Sequence, residues 1–193
     1  GNGPDLVWID ADEWRTNAIK AEVREVREAG GIPLKPVDHA MVTDMAEAIR
    51  NHKVASALFN PLGGRAEQSL FWQDVATGIQ RRARLDWLPF PQAGRLIVPD
   101  YKTTKDASPE GIQKASHQFG YHQQAPWYLS GITALDLGPD PAFVFVFQEK
   151  TPPYLVTVVE LDVIAMQYGR HLMQKAIDIY AECTRTGHWP GYS

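Results

Sequence analysis

Cysteine is almost missing from this chain. Cys183 stands alone among 193 residues, which excludes an internal disulfide, an iron–sulfur cluster and a cysteine-rich zinc site. No apolar run is long enough to span a bilayer, and no signal-peptide pattern appears. There is no internal repeat, low-complexity tract or interdomain linker. A basic surplus is lacking too: the formal net charge is −4, which argues against a uniformly basic nucleic-acid binder. What these absences leave is one globular domain spanning residues 1–193, 44% hydrophobic, with a flexible start at Gly1 to Pro4 and a reducing, cytoplasmic setting. Six tryptophans and seven tyrosines supply bulk for its core.

The pattern of residues is mixed α/β. Charge-rich helical spacing from Asp12 to Ala29 stops at Gly30-Gly31. Asp38 is placed to cap a second helix through about His52, with Met41, Met45 and Ile49 on one face. Strands are expected near Ala66 to Gln73, Gly78 to Asp86 and Arg95 to Thr103. Ser108-Pro109 opens a helix running to about Leu129, interrupted near Pro126. Ala142 to Phe147 and Leu155 to Leu161 form an antiparallel pair, and Asp162 caps a last helix to about Thr186. The simplest assembly is a central mixed sheet flanked by helices.

The chemistry concentrates between Ile79 and Thr104. Asp100 and Lys102, two apart on a strand, share a face. A hairpin turn through Pro89 to Gly94 would set Asp86 beside Asp100. Two carboxylates held close need a cation between them, and an oxygen-only donor set suits Mg²⁺ or Mn²⁺ better than zinc. That points to metal-dependent phosphodiester hydrolysis. Alternation places Gln80, Arg82 and Arg84 on the side of Asp86, with Ile79, Ala83 and Leu85 opposite, so arginines able to bind phosphate flank the carboxylates. Gln124 and Tyr128, four apart on a helix, project together. Glu67, on the preceding strand, lies either in the same site or on its rim. Arg65, Arg81, Arg82, Arg84, Arg95, Lys102, Lys105 and Lys114 surround these segments, predicting a basic cleft on an acidic body.

Five motifs in order, Glu67-x-Ser-x-Phe-Trp-x-Asp74, Thr77-Gly78, Arg82-x-Arg-x-Asp86, Asp100-x-Lys-Thr-Thr104 and Tyr121-His-x-Gln-x-x-x-Tyr128, resemble the nuclease domain of the exonuclease VIII (RecE) family. That family belongs to the RecB-like branch of the PD-(D/E)xK nucleases. The likeness runs from about Arg15 to Trp189-Pro190 and implies a restriction-endonuclease-like core. It implies Asp86 and Asp100 as metal ligands, helped by the backbone carbonyl of Tyr101, and Lys102 as the residue that orients the attacking water. Glu67 matches a recurrent acidic position. Gln124 and Tyr128 match the signature that contacts DNA beside the site, with Arg82 and Arg84 as further DNA contacts.

The resemblance also implies Mg²⁺, replaceable by Mn²⁺, and digestion of linear duplex DNA from its ends, 5′ to 3′. The product would be 3′ single strands for an annealing protein in phage or prophage recombination within a bacterial cell. A homo-oligomeric ring around DNA is implied as well, with no membrane role. Members of the branch carry an upstream metal-ligating histidine on a helix; the chain holds no such motif, so it is read as starting after that helix. His39 and His52 are read as surface or helix-terminal residues. Two other classes stay open: an inactive DNA-binding or scaffolding module of the same fold, and a RecB-like endonuclease or single-strand nuclease.

Overall fold

The computed structural model describes residues 3–191; of the flexible start expected at Gly1 to Pro4, Gly1 and Asn2 lie outside them. The architecture is mixed α/β, with several sheets flanked by helices. A short parallel pair, β1 (Leu6–Trp8) and β2 (Ile32–Leu34), brackets α1 (Asn17–Glu28). Helices α2 (Pro36–Asn51) and α3 (Lys53–Leu58) follow. Next come β3 (Gly64–Gln73), β4 (Gln80–Pro89) and β5 (Ile97–Thr104), then α4 (Pro109–Gln118), α5 (Tyr121–Ala134), β6 (Ala142–Glu149), β7 (Val156–Glu160) and α6 (Val163–Thr186).

The central sheet is mixed as expected: β5 runs parallel to β6, and β6 pairs antiparallel with β7. From Ala142 to Gln148 every residue of β6 is buried, the pattern of a strand covered on both faces. Phe143, Phe145 and Phe147 from β6 pack with Val98 of β5, Leu70 and Trp72 of β3, and Leu85 of β4 to form the core.

The expected hairpin between β4 and β5 does not form. β4 pairs instead with β3, in the register Phe71↔Arg82 and Ser69↔Arg84. Pro99 has no N–H to give to a ladder. The next donor on that edge, Tyr101 N, bonds the Asp86 carboxylate at 2.8 Å rather than a β4 carbonyl. The two strands are thus joined through the Asp86 side chain.

Helix boundaries differ for local reasons. α1 starts at Asn17 rather than near Asp12, capped by Thr16, whose hydroxyl accepts from Ile19 N. α2 starts at Pro36, whose fixed φ and missing N–H suit a first helical position. His52 ends α2 and caps α3, its Nδ1 accepting from Ala55 N at 3.1 Å, while His39 stacks on Trp8; both imidazoles have structural employment. The break expected at Pro126 falls at Phe119-Gly120, where Gly120 adopts φ 70°, a conformation that costs glycine little. Pro126 stays within α5. Its ring leaves the His122 carbonyl without the usual i+4 donor, and that oxygen is met by Gly169 of α6, where the absent Cβ lets the two helices touch.

Arg81 is the largest departure from the basic-cleft expectation. Its parity puts it on the core face with Ala83 and Leu85, and it is buried there. It reaches Asp74 Oδ2 at 3.2 Å and Ser130 Oγ at 2.9 Å, with its guanidinium over the rings of Trp127 (4.1 Å) and Trp72 (5.0 Å). Burial alone would raise the Asp74 pKa, but hydrogen bonds from Thr77 and the charge of Arg81 together hold it below the usual carboxylate value. Arg95 lies just before β5, paired with Asp140 and Glu160. Neither arginine lines the cleft.

Candidate active site

Three elements bring the expected residues together. β5 turns Asp100 and Lys102 to one face, towards α5, and Tyr101 and Thr103 to the other, towards α2 and α3. Asp100 is only 1% exposed. Its Oδ1 accepts from Gln124 Nε2 of α5 at 2.8 Å, and its Oδ2 forms an ion pair with the Lys102 ammonium. Oδ2 is nonetheless without a hydrogen bond of good geometry among the described residues. Lys102 Nζ lies 5.2 Å from the Tyr121 ring centre and 5.9 Å from that of Phe145, so its charge meets aromatic faces on one side and a carboxylate on the other.

Asp86 enters from β4, tied through Oδ2 to Tyr101 N. In a strand, the N–H and C=O of one residue leave by the same edge, so the Tyr101 carbonyl is directed to the Asp86 side. Asp86 lies near enough for its charge to act on Asp100. Burial, followed by that repulsion, outweighs the Lys102 and Gln124 contributions and raises the Asp100 pKa to about 6. Tyr128 completes the cluster: burial and then the Asp100 charge raise its pKa, and its ring meets Phe143 edge-on at 5.5 Å.

Glu67 sits on β3 opposite Asp86. The ladder skips from Ala66↔Trp87 to Gln68↔Leu85 because Glu67 has φ 57°, a left-handed conformation that is costly outside glycine and tends to be kept where function needs it. Its carboxylate pairs with Arg84 Nε. Glu67, Asp86 and Tyr101 share the wall of a cleft of about 1080 Å³, whose other side is Met41, Met45 and Ile49 of α2 with Phe59 beyond α3.

This donor set fits a hard divalent cation in part. Two carboxylates from neighbouring strands and the carbonyl directed to the Asp86 side are oxygen ligands of the right type. No group of three His, Cys, Asp or Glu side chains close enough to hold a metal occurs among the described residues, so Glu67 stands apart while Arg84 holds it.

Comparison with known proteins bears on the family and the fold. The sequence pattern of the PDDEXK-like domain of unknown function (DUF3799) matches residues 11–193. The chain belongs to this PDDEXK-like family. A crystal structure of a candidate exonuclease from Eubacterium rectale shares the fold, with a TM-score of 0.62 at 12% identity over 90% of this chain and 63% of that one. The chain thus spans less than two thirds of that protein. No curated protein matches the sequence.

Two residues of this PDDEXK-like domain that matter to the site are not evident from sequence spacing. Tyr121 provides the aromatic face under Lys102. Gln148, fully buried on β6, accepts from the Tyr101 phenol at 2.6 Å and donates to the Met45 carbonyl at 2.9 Å, linking β5 to α2. A glutamine directly continuing the apolar run Ala142 to Phe147 is the available signal, since a buried amide needs partners. Gln124 holds one Asp100 oxygen and so orients the other. Gln124→Leu is expected to lower metal-dependent turnover about 10- to 100-fold with DNA affinity reduced far less; equal losses in kcat and in DNA binding would instead mark Gln124 as a DNA contact.

Proposed function

We propose that this chain is a Mg²⁺-dependent deoxyribonuclease acting as an exonuclease of the RecE type, degrading linear duplex DNA 5′ to 3′ and leaving 3′ single strands. The observation that carries this reading is the convergence of Asp86, Asp100, Lys102 and Gln124 from β4, β5 and α5. Asp86, Asp100 and the Tyr101 carbonyl would hold the metal, with Mn²⁺ able to replace Mg²⁺. When bound, the cation supplies Lewis-acid stabilisation of the charge that develops on phosphate.

The chain's own groups do the rest. Lys102, set between the Asp100 carboxylate and the Tyr121 face, orients the attacking water and offsets charge on the scissile phosphate. Gln124 fixes the Asp100 carboxylate, while Tyr128, Arg82 and Arg84 position the DNA backbone. By the same resemblance the working form is a ring of several copies on DNA ends in the bacterial cytoplasm, passing its strand to an annealing protein in phage-type recombination. No helix is long and apolar enough to cross a membrane.

The test is digestion of end-labelled linear duplex beside a covalently closed circle. With Mg²⁺ the linear form should be degraded and the circle left intact, the first label released giving the polarity. Lys102→Ala should cut the rate by about a hundredfold or more while DNA binding persists. Cleavage of the circle would mean an endonuclease. A second reading, a binding module without turnover, is favoured by the Glu67–Arg84 ion pair, which withholds the third carboxylate; DNA binding without cleavage under any divalent cation would establish it.

A further inference from the structure

The outer face of the β3–β4 hairpin carries a pattern that the catalytic cluster does not use. Three consecutive outward pairs, Ser69↔Arg84, Phe71↔Arg82 and Gln73↔Gln80, are exposed on both strands. Those six side chains hold two cations, no carboxylate and one large apolar ring. Phe71 is 67% exposed, although the inward neighbours Leu70 and Trp72 are buried; an aromatic ring on the wet side of a strand gains nothing from the core. Arg82 is anchored through its carbonyl, which accepts from Trp127 Nε1 at 2.8 Å, leaving its guanidinium in solvent opposite Phe71. Arg84 is held by Glu67 at the mouth of the cleft.

This face starts at the candidate site. Asp86 has the same parity as Arg84, Arg82 and Gln80, so one line of side chains runs from the carboxylate to the hairpin turn. Alternate residues on a strand stand about 7 Å apart, comparable to successive phosphates of one DNA strand. A phenyl ring beside a guanidinium offers stacking to a nucleobase, and a base presents its face only when it is unpaired.

We propose that the outer face of β3–β4 binds a single, unpaired DNA strand leading to or from Asp86, with Arg84 and Arg82 on successive phosphates and Phe71 stacked on a base. The proposal rests on the nuclease reading for its direction towards Asp86, and it names the form of DNA that the site handles: an unpaired strand rather than a continuous duplex. Engagement of Arg84 by phosphate would release Glu67 towards the cleft, where it faces Asp86 across the ladder.

Binding is measured by fluorescence anisotropy in chelator, so that no strand is cut, with a labelled oligodeoxythymidine and a strand of equal length whose bases are replaced by abasic sites. Phe71→Ala should weaken the oligodeoxythymidine complex about tenfold or more and leave the abasic strand unaffected. Arg82→Ala should weaken both alike and reduce the dependence of log K on log salt by about one phosphate's worth. Phe71 is exposed, so its removal should leave the melting temperature unchanged, and melting is recorded alongside. An unchanged affinity in Phe71→Ala, or an equal loss on both strands, overturns the proposal. Wild-type protein that digests linear duplex yet binds neither single strand overturns the track and leaves the nuclease reading standing. The predicted binding pattern in a protein that cuts no DNA does the reverse.

Discussion

Asp100→Asn is expected to abolish Mg²⁺-dependent cleavage, by about a thousandfold or more, and yet to melt at a higher temperature than the wild type in chelator at pH 7.5. Both effects have one cause. Burial, with the neighbouring Asp86 charge, raises the Asp100 pKa from 3.8 to about 6, so the folded protein binds this proton more tightly than the unfolded chain does. The stability contributed by that proton is complete below pH 3.8 and is lost as the pH rises through about 6.

At pH 7.5 the ionised carboxylate therefore costs the metal-free fold up to about 3 kcal/mol, since a tenfold change in proton affinity is worth about 1.36 kcal/mol. Asparagine keeps the shape and the bond to Gln124 without the charge. The gain falls short of that bound because Lys102 also loses its partner. Thermal melts across pH check this: the advantage of the variant should vanish below about pH 4, where wild-type Asp100 is protonated. Mg²⁺ should raise the melting temperature of the wild type and not that of Asp100→Asn. A variant that cleaves normally, or that melts lower than wild type by the same margin at every pH, would sink the assignment of Asp100 as a carboxylate kept for function against stability.

Gly169→Ala should cost about 3 kcal/mol or more in urea unfolding, an unusual penalty for one methyl group on a helix. The added Cβ would overlap the His122 carbonyl and crowd Pro126 Cγ at 3.1 Å. The backbone of α5 cannot yield cheaply, because Ala125 and Pro126 are themselves buried. Gln124 lies two residues from His122, so a displaced α5 also loosens its bond to Asp100. Protein that remains folded should show a lower kcat. Gly191→Ala, with nothing within 4 Å of its Cβ position, is the control and should change stability by less than about 0.5 kcal/mol. A loss no larger than the control's would mean that the α5–α6 contact is looser than described.

Alternation and order carry most of the site into view from sequence. The two-residue spacing of Asp100 and Lys102 and the four-residue spacing of Gln124 and Tyr128 are local properties, and local geometry fixes where they point. Pairing partners are not local. A turn signal implies a β4–β5 hairpin, but Pro99 cannot donate and the Asp86 carboxylate takes the place of a ladder acceptor, which only the assembled strands reveal. Parity already assigns Arg81 to the apolar side, and counting it with the surface cations sets a charge in the cleft that belongs beside Asp74. The short pair β1–β2 is invisible in the pattern because three-residue strands have no measurable period. Pro126 misleads through its general habit; here it stays inside α5, whose His122 turn packs closely on Gly169 of α6.

The division of labour around the cleft has a further meaning for how such a domain can change. Asp86, Asp100, Lys102 and Gln124 are carried by β4, β5 and α5, whereas the wall of Met41, Met45 and Ile49 facing Asp86 comes from α2, tied to β6 by the Gln148 amide. Substitutions along that wall would alter the width and texture of the cleft beside Asp86 and Glu67 without touching the bonds that hold Asp100. On the nuclease reading, the elements that would carry the reaction and the wall that would select its substrate are thus separate, and a change of preference would need only a few apolar side chains.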